Sequence, residues 1–291
     1  MQLFYTVSIK LEYLIFNNFR YVLTVGKQMT DITPPVVLCF SGADPTGGAG
    51  IQADIETVSS HGCVAASVIT AATVQDTVDV MSFSPMPSEI VIEQARAVLE
   101  DMPISAIKIG MVGSAEIAMA IHSILTDYPK IPVIYDPVFS TETDGSLSTE
   151  DLIDTVRTLL LPITKILTPN IHEVHSLSPG SDTPTAAAMG LLETDVEYIL
   201  LTGTHGNTPD VVHTLYSNNR EMETFHNERL PHKYHGSGCT LASSIAAQIA
   251  LGQEVLGAVR KGLDYTHKTL VNANRIGMGQ HHPNRFFWDK K

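Results

Sequence analysis

Tyr234-His-Gly-Ser-Gly-Cys-Thr240, running on into Leu241-Ala-Ser-Ser-Ile-Ala-Ala-Gln-Ile249, reads as a glycine turn that opens a helix. Leu241, Ile245 and Ile249 recur at i, i+4 and i+8 with Ala242 and Ala246 beside them, which gives one apolar face of helical period. Gly236 and Gly238 lack a Cβ, so the backbone there can come very close to a ligand. The first N–H groups of a helix have no partner within it, and the helix dipole is positive at that end. Together these features form a seat for an anion, usually a phosphate. Cys239 stands at its mouth, where a lowered thiol pKa is expected. The plainer reading is a connector followed by a small buried cysteine.

Working outward, each strand candidate ends in a comparable polar or glycine cluster. Val36-Val-Leu-Cys-Phe40 is a short apolar run feeding Ser41-Gly-Ala-Asp-Pro-Thr-Gly-Gly-Ala-Gly50. Ile51, Ile55 and Val58 then mark a helix that stops near Gly62. Val64–Val74 is the next strand, ending in Gln75-Asp-Thr77, and Glu89–Glu100 is helical in composition. Ala106–Ile109 ends in Gly110-Met111, followed by a helix marked by Ile117, Ile121 and Ile124. Val133–Tyr135 ends in Asp136-Pro-Val138, and Ser148 with Asp151 resembles a capping box for a helix to about Leu160. Lys165–Leu167 leads into Thr168-Pro-Asn170, and Tyr198–Leu201 into Thr202-Gly-Thr-His-Gly206. Val211–Tyr216 and Met222–Asn227 suggest a hairpin through Ser217-Asn-Asn219, and Val255, Val259 and Leu263 line a last long helix.

Strands alternating with helices imply an α/β fold whose parallel sheet is covered on both faces. Ligands in such sheets bind beyond the carboxyl ends of the strands. Asp44, Gln75, Met111, Asp136, Asn170, Thr202 and the Gly236–Cys239 turn are then expected on one rim. One such loop is coincidence, whereas seven at corresponding positions point to a site.

Composition sets further bounds. The 291 residues are 44% hydrophobic and 17% charged, enough for a sizeable core. A net charge of −13 argues against nucleic acid or an anionic membrane as the main partner. Cys39, Cys63 and Cys239 show neither a zinc spacing nor a disulfide framework, which makes a reducing cytoplasm the default. Residues 1–33 differ from the rest. They are rich in aromatics yet broken by Lys10, Glu12, Arg20 and Lys27, so no stretch is long and apolar enough to span a membrane. We expect this segment to be an extension outside the functional domain, 34–291, with Met29-Thr-Asp31 as the natural start. Mass spectrometry of the native N-terminus tests this, and a mature chain beginning at Met1 would overturn it.

Two nucleotide motifs bear on the class. Gly48-x-Gly50-x-x-Ala53 matches the dinucleotide fingerprint, and Asp76 could then hold a ribose; that reading is an NAD-binding dehydrogenase. No Gly-x-x-x-x-Gly-Lys-Ser/Thr loop is present.

The ordered set of motifs resembles the hydroxymethylpyrimidine/phosphomethylpyrimidine kinases of thiamine biosynthesis, members of the ribokinase-like superfamily. The motifs are Ser41–Asp54, Ser67–Gln75, Lys108-Ile-Gly-Met111, Asp136-Pro-Val138, Thr168-Pro-Asn-x-x-Glu173 and Gly236-Ser-Gly-Cys-Thr240. The resemblance runs from about Val36 to the C-terminus. It implies a three-layer αβα sandwich with a mostly parallel central sheet, ATP as phosphoryl donor, Mg²⁺, and a homodimer. By the same resemblance Gly42, Asp44, Gln75, Met111 and Val138 hold the pyrimidine. Gly236, Ser237, Gly238 and Cys239 form the anion hole and catalytic turn. Asn170, Thr202 and Gly203 contact nucleotide, and Asp136 and Glu173 serve the metal. A glutamine suits an aminopyrimidine, because its amide offers both a donor and an acceptor. Cys239 takes the place of an aspartate base found in most of the superfamily, and the expected role is proton acceptor, with alignment of the hydroxyl as the alternative. His172 and His175 are read as structural or exposed, and Thr141–Gly145 as a loop able to close over the site.

Two departures stand out. Many relatives carry lysine where this chain has Thr202, and threonine where it has Ser237. The rival readings are a pyridoxal kinase of the same superfamily and a non-catalytic pyrimidine-binding protein. Gln75 and the Asp-Pro-Thr-Gly-Gly loop favour the pyrimidine over pyridoxal, and retention of Cys239, Asp136 and Glu173 argues for catalysis.

Overall fold

The computed structural model describes residues 33–139, 147–203 and 208–289. The N-terminal extension, apart from Thr33, and the Thr141–Gly145 loop lie outside the described residues. Nine strands form one sheet: β1 Val36–Ala43, β2 Val64–Gln75, β3 Val80–Pro85, β4 Ile104–Ile109, β5 Val133–Tyr135, β6 Ile166–Leu167, β7 Tyr198–Leu201, β8 Asp210–Ser217 and β9 Arg220–Glu228. Their spatial order is β3-β2-β1-β4-β5-β6-β7-β8-β9. The six from β2 to β7 are parallel, while β3, β8 and β9 pair antiparallel at the margins.

The helices are α1 Gly50–Ser60, α2 Ser88–Asp101, α3 Ala115–Leu125, α4 Glu150–Thr155, α5 Ile171–Leu177, α6 Pro184–Leu191, α7 Ser237–Ala250 and α8 Val255–Val271. Side chains alternate across a strand, so each strand feeds two cores. Leu38 and Phe40 of β1, Ile107 and Ile109 of β4, and Tyr135 of β5 pack with α2 to α6 on one face. Val37, Cys39, Ala106 and Ile134 pack with α1, α7 and α8 on the other. The expected three-layer αβα sandwich is therefore the observed one, with both faces of the parallel strands covered as such strands require.

The hairpin forms where expected. Asn218 and Asn219 take φ of 51° and 53°, the left-handed pair that a two-residue turn between twisted strands demands. Elsewhere the structure departs from the sequence reading. The helix after Ser148 is capped by Thr149, whose hydroxyl accepts from the Leu152 amide at 3.2 Å, while Ser148 donates to the Phe139 carbonyl. Its α-helical part ends at Thr155 and continues as a π turn to Leu160. Asp76 sits in the β2–β3 turn and accepts the amides of Val78 and Asp79. β2 then turns antiparallel into β3, so the acid that the dehydrogenase reading needs is a turn residue.

One contact between α1 and α7 makes stability pH-dependent. The Gln248 amide donates to Nδ1 of His61 at 3.2 Å, which leaves the proton on Nε2, 2.8 Å from Ser244 Oγ. Burial lowers the His61 pKa to about 4. The unfolded chain, with histidine near about 6.5, takes up its proton first as pH falls. The stability His61 contributes is therefore complete above that value and is lost as pH falls toward 4. Urea unfolding at pH 7 and pH 5 should show His61→Gln losing on the order of 1 kcal/mol less than the wild type over that interval. An identical loss in both proteins would remove His61 as the cause.

Candidate active site

The carboxyl rim of the sheet carries a cavity of about 540 Å³. Its walls include Gly42, Asp44, Gln75, Met111, Asp136, Val138, Asn170, Glu173, Thr202 and the whole Gly236–Cys239 turn. Every residue singled out from the sequence lines it except Gly203, which packs against the Val212 backbone. The strand order makes the layout legible. Gln75 ends β2 and His213 lies on β8, six strand spacings apart, about 29 Å at about 4.8 Å per strand. Asp136 follows β5, midway between them.

The N-terminus of α7 meets the rim at that midpoint. Gly236 is its N-cap with φ 77°, and a Cβ there would come within 2.0 Å of the Gly48 carbonyl oxygen, so this approach of two backbones requires glycine. Gly50 opens α1 with φ 60° and is held as closely against the Gly42 carbonyl. A side chain begun at Gly238 would meet the Asp136 carboxylate at 3.6 Å, which places that acid beside the anion seat.

Two residues the sequence reading passed over lock these loops together. His235 Nε2 lies 2.9 Å from Asp44 Oδ2. Asp44 also accepts the Thr46 and Ala49 amides at 2.8 Å each. Burial pushes the Asp44 carboxyl up, but the bonds from His235, Thr46 and Ala49 outweigh it and bring its pKa to about 2. The buried Arg285 guanidinium donates to the carbonyls of Gly47 and Gly48, to Glu56 and to Thr240 Oγ1, so it clamps the first glycine loop onto α7. Asp44 thus organises the loop as well as lining the cavity.

At the β2 end of the cavity the lining is an amide beside an apolar wall. The Gln75 amide donates to Thr73 Oγ1 at 2.7 Å, which orients the side chain. Met111 packs with Ala71 and Leu147, and Val138, Val80 and Phe83 lie against that cluster, forming a small apolar wall. Gln280, not singled out from the sequence, joins this side. Its backbone N–H donates to the Thr77 carbonyl at 2.7 Å, and its buried side-chain Oε1 has no partner among the described residues.

On the other side Asn170 and Glu173 close a capping box on α5. Asn170 Oδ1 accepts the His172 and Glu173 amides, and Glu173 Oε2 accepts the Asn170 amide at 2.8 Å. His172 is exposed.

The electrostatics correct one expectation. The Cys239 thiol is not lowered but raised, to about 12. Burial is the largest cause, and the Asp136 and Asp54 carboxylates add to it against the pull of Lys108. Burial, followed by repulsion from Asp136, likewise lifts Glu173 well above the ordinary carboxylate range. Burial lifts Asp136 too, opposed first by Lys108. Among the described residues no cluster of three metal-ligating side chains occurs. Asp136 Oδ2 is nevertheless buried without a hydrogen-bond partner, near a second acid. Two carboxylates without a full protein cage suit Mg²⁺, which keeps waters and phosphate oxygens as its other ligands.

A single cavity along the carboxyl rim, with the glycine-capped N-terminus of α7 at its middle, on this three-layer sandwich is the arrangement of a ribokinase-like small-molecule kinase. Residues 44–284 match the family described as phosphomethylpyrimidine kinase, and the chain belongs to that family. A hydroxymethylpyrimidine/phosphomethylpyrimidine kinase of Streptomyces coelicolor is 35% identical over 256 residues, covering 85% of this chain and 93% of that protein. A chloroplastic thiamine biosynthetic bifunctional enzyme of Arabidopsis thaliana is 35% identical over 88% of this chain, which spans about half (51%) of that enzyme's length. The crystal structure of a Clostridium difficile phosphomethylpyrimidine kinase superposes with a TM-score of 0.71 at 32% identity, over 81% of this chain and 99% of that one. A Staphylococcus aureus pyridoxal kinase, solved with AMP-PCP and pyridoxal, shares the fold at a TM-score of 0.79 and 21% identity, over 88% and 95% of the two chains. Among the described residues no helix is long and apolar enough to cross a membrane.

Proposed function

We propose that this chain transfers the γ-phosphoryl group of ATP to the hydroxymethyl oxygen of 4-amino-5-hydroxymethyl-2-methylpyrimidine. A second transfer, to the monophosphate, then gives the pyrophosphate for thiamine biosynthesis. The observation that carries this reading is the position of the α7 N-terminus, midway along a rim with the Gln75 amide and an apolar wall on one side and Asn170, Glu173 and Thr202 on the other.

The pyrimidine ring lies against Met111 and Val138 beside Gly42, with Gln75 reading its amino edge. The hydroxymethyl oxygen attacks the γ-phosphorus while the bond from that phosphorus to the β–γ bridging oxygen breaks and ADP departs. Amides at Ser237, Gly238 and Cys239 receive the phosphoryl oxygens as their charge spreads. Asn170 and Thr202 meet the remaining phosphates. Asp136 and Glu173 hold Mg²⁺, which when bound offsets phosphate charge. A cytoplasmic homodimer belongs to the same reading, on the family resemblance, and light scattering tests the dimer.

The experiment is a mass-resolved assay with ATP and Mg²⁺ on hydroxymethylpyrimidine, its monophosphate and pyridoxal. Stepwise formation of monophosphate and pyrophosphate is expected. Gln75→Ala should raise KM for the pyrimidine about tenfold, the scale of one or two hydrogen bonds, and leave KM for ATP within about twofold. Turnover of pyridoxal alone, or none of the three, would overturn the reading.

A further inference from the structure

The segment after α8 is held by its backbone on both sides of Gln280. On one side the Gly279 amide donates to Thr77 Oγ1 at 3.0 Å, and the Gln280 backbone N–H donates to the Thr77 carbonyl at 2.7 Å. On the other, the His281 amide donates to the Lys233 carbonyl and the His235 amide to the His281 carbonyl, both at 2.9 Å. The first anchor is the β2–β3 turn, and the second is the stretch that enters the Gly236 turn. Gln280 is therefore fixed beside Thr77, which follows Gln75 by two residues, at most about 7 Å of chain. Gln75, Asp76, Thr77 and Gln280 all line the cavity.

The Gln280 side chain carries a buried Oε1 with no hydrogen-bond partner among the described residues. Such atoms are rare in folded proteins, and a carbonyl oxygen is satisfied only by a donor. The side chains of the adjoining turn offer none. Asp76 Oδ1 accepts the Val78 and Asp79 amides, and Asp79 Oδ1 accepts the Val80 amide. The Thr73 hydroxyl donates to the Ala43 carbonyl and accepts one N–H of the Gln75 amide. An aminopyrimidine bound at this end brings the missing donor. Its exocyclic amine carries two N–H groups. The Gln75 oxygen can receive one, while the amide N–H not held by Thr73 can serve the ring nitrogen beside the amine. The second amine hydrogen still needs an acceptor. The hydroxymethyl group is the substrate's other donor, and the transfer commits it to the anion seat.

We propose that Gln280 is a second determinant of acceptor specificity, its Oε1 receiving the amine hydrogen that Gln75 leaves free. This rests on the pyrimidine kinase reading above. The test compares 4-amino-5-hydroxymethyl-2-methylpyrimidine with its 4-oxo analogue, which has an acceptor where the amine stood. Turnover with ATP and calorimetric binding are measured for the wild type, Gln280→Leu and Gln280→Glu. Gln280→Leu should raise KM and Kd for the aminopyrimidine about tenfold, with KM for ATP and both constants for the oxo analogue within about twofold. The preference for amine over oxo then falls about tenfold. Gln280→Glu keeps an acceptor oxygen at the same reach and should hold Kd for the aminopyrimidine within about threefold of the wild type. Equal losses with both pyrimidines would reduce Gln280 to a piece of wall and overturn the proposal. An unchanged Kd in the leucine variant, or a glutamate variant as weak as leucine, would overturn it too. Binding and turnover separate the proposal from the reaction. Wild type that binds the aminopyrimidine without phosphorylating it sinks the kinase reading, and a tenfold contrast in Kd would still support Gln280. Wild type that binds neither pyrimidine overturns both.

Discussion

Cys239→Ala lowers kcat by about 10²-fold or more while KM for both substrates stays within about threefold, because the thiol acts on the reacting hydroxyl and not on ground-state binding. The raised pKa decides which role it plays. With its pKa pushed up to about 12, chiefly by burial, the thiol stays protonated at neutral pH. Phosphoryl transfer through a loose transition state depends more on alignment and charge neutralisation than on early removal of the proton. In the proposed reaction Cys239 is then expected to align the hydroxyl as a hydrogen-bond partner, with the proton leaving as the new P–O bond forms. Cys239→Ser keeps a hydroxyl at the same place and should retain about a tenth of the activity, well above the alanine variant. Between pH 7.5 and 9.5, where an ordinary cysteine near about 8.5 would titrate, kcat should stay flat. A kcat that climbs steadily through that range, with serine as inactive as alanine, would restore the thiolate base.

The residues that could be read from the sequence share one property: their role is written in their neighbours along the chain. β1, Val133–Tyr135 and Ile166–Leu167 are apolar runs, and Asp44, Asp136 and Thr168, which follow them, arrive at the rim. Gly236 caps, and Gly238 opens the first turn of, a helix whose apolar period is intact. β3 escaped because it is an edge strand with mostly exposed side chains, which leaves no apolar run to see. α5 has seven residues, too few for a period, although Asn170 and Glu173 spell its capping box. His235 acts on Asp44 from 191 positions away, and Arg285 on Gly48 from 237. No local pattern encodes such a partner. The Cys239 pKa fails for the same reason. Its helix terminus is visible along the chain, but the burial and the Asp136 and Asp54 carboxylates that raise the thiol come from the segment after β5 and from α1.

Lys108→Met should destabilise the protein by about 3–5 kcal/mol, the usual result of stripping one partner from a buried ion pair. Lys108 Nζ lies 2.9 Å from Asp54 Oδ1, and both side chains are wholly buried. Asp54 also accepts the Ser41 and Ser243 hydroxyls at 2.6 Å each, and Lys108 donates to Ser41 at 3.0 Å. The network thus ties β4, α1, β1 and α7 together behind the anion seat. Burial alone would depress the lysine pKa, but the Asp54 carboxylate, with Cys239 and Asp136, holds it above the ordinary value, so the ammonium stays charged. The same charge pulls down both the Cys239 thiol and the Asp136 carboxyl, each otherwise raised by burial. Structure and electrostatics therefore separate in a double variant. Lys108→Met with Asp54→Asn removes both charges and keeps an acceptor for the serines, so the urea midpoint should recover most of the loss. Activity should not recover, because no cation then opposes the accumulation of negative charge around Asp136 during transfer. Recovery of both stability and kcat would reduce the pair to a brace between sheet and helix. Recovery of stability alone would establish that the buried lysine tunes the seat on which the phosphoryl group moves.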